Sequence, residues 1–131
     1  MEASIFTKII NREISANILA ENDNYIAFLD VFPLVKGHTL IVPKKQIDYI
    51  FDLDDDLLSG LHLFSKKIAL AVEKAIDCKR IGTAVIGLEV PHTHIHLVPM
   101  NNISDLDFTK AKLQLSKEEM NAIAQSIISE L

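Results

Sequence analysis

The amino-acid sequence predicts an α+β domain of about five mostly antiparallel strands, with one long helix, a short N-terminal helix and a C-terminal helix. Three patterns predict it. His92, His94 and His96 alternate with Thr93, Ile95 and Leu97, the two-residue period of a strand. Leu57, Leu61, Phe64, Ile68, Val72 and Ala75 recur at helical spacing along one stripe. Asn22, Asp23 and Asn24 form a turn signal between two strand-like runs, which reads as a hairpin.

Taken in order, residues 4–11 place Ile5, Phe6, Ile9 and Ile10 on one face of a short amphipathic helix. Residues 17–21 and 25–30 are the hairpin strands. A loop with Pro33, Lys36 and Gly37 leads to a third strand over residues 38–43, ended by Pro43. The acidic residues between Asp52 and Asp56 read either as a cation site or as a helix N-terminus. The second reading is favoured, because aspartate caps that end and complements its dipole. The long helix then runs to about Ile76, with His62 on its periphery. Residues 80–89 predict a fourth strand, and Val90-Pro91 breaks it before the histidine strand, which extends to about Met100. Ser116-Lys117-Glu118-Glu119 is a capping-box sequence opening the C-terminal helix.

At 131 residues the chain is expected to be a single domain over residues 1–131, with a core at about 4–100 and a C-terminal extension at about 101–131. A formal charge of −5 argues against broad binding to nucleic acid, while leaving room for a small anion held by local donors. The single cysteine, Cys78, excludes an internal disulfide and a cysteine-based zinc site. There is no apolar run long enough for a membrane span and no leader-like N-terminus, so a cytoplasmic protein without a membrane partner is expected.

Three of the five histidines project from one face of the predicted strand. Packing does not account for such a row, because imidazoles gain little by burial and neighbouring cations repel. Imidazole serves either as a metal ligand or as a nucleophile and acid–base group near neutral pH. Same-face strand residues of this spacing spread over roughly 13 Å, which makes one ion shared by His92, His94 and His96 the weaker reading.

His92-Thr93-His94-Ile95-His96-Leu97-Val98 resembles the signature of the histidine triad (HIT) superfamily, with Thr93 only partly apolar. Residues 37–45, Gly-His-Thr-Leu-Ile-Val-Pro-Lys-Lys, are similar to a second block of that superfamily, and residues 28–33 to a third. The resemblance implies a nucleotide hydrolase or nucleotidyl transferase acting at an α-phosphate, without a cofactor. His94 would attack phosphorus and form a covalent nucleotidyl-histidine that water resolves. Its other ring nitrogen would donate to the carbonyl of His92. His96 would assist beside the phosphate, His38 would complete the cluster, Asp30 would hold the ribose, and Phe28 and Val31 would line the base pocket.

Departures from the family pattern are equally specific. Many relatives carry a zinc site built from Cys-x-x-Cys and two histidines, whereas here Ser4, Thr7 and Gln46 stand at three of those positions. No metal is therefore expected. Residues 86–91 lack the usual asparagine and glutamine near the phosphate, and Glu89 is a peripheral candidate in that space. The expected substrate is a purine nucleoside phosphoramidate or related adenylate conjugate. The alternatives are a dinucleoside polyphosphate, or nucleotide binding without turnover. The resemblance also implies a homodimer.

Overall fold

The computed structural model describes residues 2–131. Helix α1 (Ile5–Ile10) is followed by strands β1 (Ile18–Glu21), β2 (Tyr25–Leu29) and β3 (Thr39–Pro43). Helix α2 (Asp55–Ala75), strands β4 (Arg80–Ala84) and β5 (Ile95–Met100), and helix α3 (Lys117–Ile128) complete the chain. The five strands form one antiparallel sheet in the order β1-β2-β3-β5-β4. No helix among the described residues is long and apolar enough to cross a membrane.

The strand period decides what each face carries. Tyr25, Ala27, Leu29, Ile41, Ile95 and Leu97 enter the larger core with Leu61, Phe64, Ile68 and Val72 of α2 and Met120, Ala124 and Ile127 of α3. Ile26, Phe28, Leu40 and Val42 turn to the opposite face, where Phe6 and Ile9 of α1 cover them. The register pairs Phe28 with Leu40 and Leu40 with His96, so His96 belongs to this second face. The sheet is thus closed by two helices on one side and leaves the α1 side for chemistry.

Local signals place the helices where the sequence expects them. Asp54 caps α2 by accepting from Leu57 N at 2.8 Å, and Asp55 and Asp56 occupy its first turn. The acidic cluster is a helix start. Ser116 and Glu119 form the reciprocal capping box of α3. Gly60 lets Tyr25 pass close enough for its hydroxyl to donate to Leu57 O at 2.9 Å, and a side chain there would collide with the Tyr25 ring.

Two expectations need correction. The fourth strand ends at Ala84 and does not reach Glu89. Its pairing with β5 runs out at Ala84 opposite His96, Gly87 adopts φ +76°, and the residues between them lie exposed in a loop. The histidine strand likewise begins at Ile95 and not at His92. His92 N donates to Val90 O at 2.8 Å and Thr93 N to Ile47 O at 2.7 Å, so the backbone there is drawn away from the ladder. Only His96 of the three stands on regular strand.

Candidate active site

The imidazoles still converge. His92 and His38 are fully buried, and His94 and His96 nearly so. Phe6 wedges between them from α1, with its ring centroid 4.9 Å from that of His94 and 5.8 Å from that of His92. The ring centroids of His94 and His96 lie 4.9 Å apart. The structure therefore brings together all four histidines named from the sequence.

Backbone groups fix the proton on each ring. His94 Nδ1 lies 2.7 Å from His92 O, and a carbonyl only accepts, so Nδ1 carries the proton and Nε2 keeps a free lone pair. Leu34 N donates to His38 Nδ1 at 3.0 Å, which places the His38 proton on Nε2. That proton bridges the 2.9 Å to His96 Nδ1, so His96 carries its own on Nε2. The chain Leu34–His38–His96 ends in an N–H donor on a ring whose centroid lies 4.9 Å from that of His94, the ring with the bare nitrogen.

This order requires neutral rings, and burial supplies them. Burial lowers the pKa of His38 to about 4, with Lys112 and His94 adding to the effect. Burial also lowers His96 to about 3, helped by the neighbouring His94 and His38. His94 and His92 are lowered for the same first reason, partly countered by the carbonyls to which they donate. Asp30 is pushed upward by burial, against the pull of the Phe32 amide that its Oδ1 accepts at 2.9 Å. Its Oδ2 stands 3.7 Å from His38 Nε2, and with His38 neutral this is a dipolar contact and not an ion pair.

Phe28 is buried beneath the site against Phe6, with ring centroids 5.5 Å apart. Val31 is exposed at the rim of the loop after β2. Glu89 is also exposed, near enough for its charge to raise the pKa of Asp30 and His94, and it makes no hydrogen bond to a histidine.

The C-terminal extension contributes two residues that the sequence patterns did not single out. The Phe108 ring stacks edgewise 4.7 Å from His96 and 6.2 Å from His38, covering their shared hydrogen bond. Lys112 lies 6.0 Å above that ring, with Nζ donating to Phe108 O at 2.7 Å and Lys110 O at 3.2 Å. Leu113 N donates to Pro33 O at 2.8 Å, fastening this segment to the loop that bears Asp30. No local pattern marks these residues, because long-range packing alone makes them part of the site.

The donor sets do not suit a metal. Asp30, His38 and His96 approach one another closely enough to suggest one. However, the Leu34 amide occupies the only lone pair of neutral His38, and its Nε2 carries a proton. His92 is committed at both nitrogens, to Ser4 Oγ at 2.7 Å and Pro43 O at 2.8 Å. At the positions compared above with a zinc site of two cysteines and two histidines, Ser4, Thr7 and Gln46 offer neutral oxygens, which are poor zinc ligands.

A five-stranded antiparallel sheet with His92, His94 and His96 gathered at one buried site defines a histidine triad protein. The HIT domain model matches residues 11–103, and the chain belongs to the HIT family, which comprises nucleotide-binding proteins and hydrolases. The chain is 33% identical over 131 residues to an uncharacterized HIT-like protein of Borreliella burgdorferi, covering 94% of each chain. It is 35% identical over 98 residues to an adenosine 5'-monophosphoramidase of Saccharomyces cerevisiae, covering 74% of this chain and 62% of that one. A crystal structure of a Hit-like protein from Bartonella henselae superposes with TM-score 0.85 at 30% identity, covering 98% and 96% of the two chains.

Proposed function

We propose that this protein hydrolyses a purine nucleoside phosphoramidate, or a related adenylate conjugate, at its α-phosphate through a nucleotidyl-histidine on His94. The observation that carries the reading is the fixed proton order around that residue: a bare Nε2 on His94 beside an Nε2–H on His96. Nucleophile and acid are held ready in one buried patch at neutral pH. The likeness to a monophosphoramidase supports the choice of substrate.

In this reading His94 Nε2 attacks phosphorus and forms a P–N bond as the bond to the leaving group breaks. His96 Nε2–H gives its proton to the departing amine. Water then attacks the same phosphorus and returns a proton to His96 Nε2 as the P–N bond to His94 breaks, and the nucleoside monophosphate leaves with both histidines restored. Asp30 accepts from the ribose hydroxyls, and Phe28 and Val31 bound the base. Lys112, close enough for its charge to act on Asp30, His38 and His96, adds positive charge beside the site.

The same reading extends to assembly as a homodimer. Strand β4 is a sheet edge, and beside it Tyr49, Phe51, Val85 and Ile86 border a groove of about 540 Å³. Pairing of two such edges would satisfy their free backbone groups and cover the groove. A molar mass of twice 14.6 kDa in light scattering is expected; a monomeric mass at micromolar concentration would exclude it.

The test is turnover of adenosine 5'-phosphoramidate by the purified protein, with quench and intact-mass detection of an adduct. We expect an AMP-sized adduct that maps to His94 and is lost in His94→Ala, with AMP affinity kept within a few-fold. A chelator is expected to leave the rate unchanged. Saturable AMP binding with neither adduct nor turnover would make the protein a nucleotide-binding module instead.

A further inference from the structure

The geometry points to Ser4, Thr7 and Gln46 as positioning residues that act on His94 through His92, as a metal-free clamp between α1 and the triad. This inference rests on the reading of His94 as the nucleophile. Ser4 Oγ donates to His92 Nδ1 at 2.7 Å and accepts from Thr7 N at 3.0 Å, so the cap of α1 is also the contact to the histidine. Gln46 Oε1 accepts from Ser4 N at 2.8 Å and from Thr7 Oγ1 at 2.7 Å, while its Nε2 donates to Glu2 O at 2.9 Å. Ser4 is buried with His92, and no buried side-chain polar atom among the described residues lacks a partner. The network is closed.

Its consequence lies one bond further on. His92 has no regular strand to hold it, since β5 begins only at Ile95. What fixes the ring is Ser4 at Nδ1 and Pro43 O at Nε2. With the ring fixed, the His92 carbonyl is held against His94 Nδ1 and sets the tautomer that leaves Nε2 bare. Partners of this kind orient a reacting group without touching the substrate. Residues separated by 42 and 88 positions in sequence thereby determine the proton on the nucleophile.

Three variants test this in the full-length protein: Ser4→Ala, the near-isosteric Thr7→Val, and Gln46→Met. Ser4→Thr, which restores both cap and hydroxyl, is the rescue. We expect Ser4→Ala and Gln46→Met to slow adduct formation about 10- to 100-fold, as loss of an orienting partner does elsewhere. AMP affinity should stay within about twofold, and Ser4→Thr should recover most of the rate. The second readout needs no turnover: ring ¹⁵N shifts of His94 should lose their pure Nδ1–H signature in Ser4→Ala. A purely structural role would lower the melting temperature while leaving the His94 tautomer and the rate of the folded protein unchanged, and that result overturns the inference. Because Thr7→Val and Gln46→Met keep the α1 cap, they answer the question if Ser4→Ala fails to fold. A tautomer change in a protein whose unmutated form makes no adduct would uphold the clamp and sink the hydrolase reading.

Discussion

The amide of Leu34 sets the direction of the proton chain through His38 and His96, so its effect should depend on the leaving group. His38→Phe keeps a buried ring but cannot order the proton on His96. An amine leaving group needs that proton and should lose about a hundredfold or more in rate, within the usual range for a general acid. A p-nitrophenolate leaving group departs without it and should lose less than tenfold. Equal losses for both would show that His38 does not direct the proton. Asp30→Ala should weaken ribonucleotide binding by about 1–3 kcal/mol by removing a half-buried acceptor, with little effect on a 2',3'-dideoxynucleotide. If the unmutated protein binds both nucleotides equally, Asp30 has no ribose to hold.

At the scale of elements, the segment after β5 carries the prediction. Phe108 keeps water from the bond between His38 and His96, and burial is the main reason both titrate far below ordinary histidine. Phe108→Ala should therefore raise the His96 pKa from about 3, as followed by proton NMR of the ring; an unmoved titration would show that the cover comes from elsewhere. Lys112→Met should weaken AMP binding a few-fold at low salt and less at high salt, because an exposed charge is screened over about 8 Å at physiological ionic strength. The strand faces were legible in sequence: parity alone places Phe28, Leu40 and His96 on one side and Ile41, Ile95 and Leu97 on the other. The path of His92 and Thr93 was not, since it depends on carbonyls of Val90 and Ile47 that no periodicity reveals. Ser4, Thr7 and Gln46 were legible only as absent zinc ligands. Their mutual bonds span distant segments and appear only when α1 docks.

For the whole molecule, four buried histidines share a lowered pKa, and this links stability to pH. The unfolded chain takes up their protons near pH 6.5, while the folded chain resists until about pH 4 for His38 and about 3 for His96. Their contribution is thus full above pH 6.5 and is lost progressively as pH falls through that window. Asp30, with a raised pKa, opposes the trend with one group against four. Urea unfolding should show a lower midpoint at pH 5 than at pH 7; the reverse order would mean that the rings are charged in the fold. The acid limb of kcat/KM should likewise lie below the 6.5 of free imidazole, since His94 is depressed. The molecule also divides its labour along the chain. The reacting imidazoles lie within residues 11–103, whereas Phe108 and Lys112 lie beyond them on a strap fastened by Leu113 to Pro33. Inheritance can then act on the two parts separately. Exchanging residues 107–113 would leave in place the His92 carbonyl and the Leu34 amide that order the protons, and would change only the cover over His38 and His96 and the charge beside them.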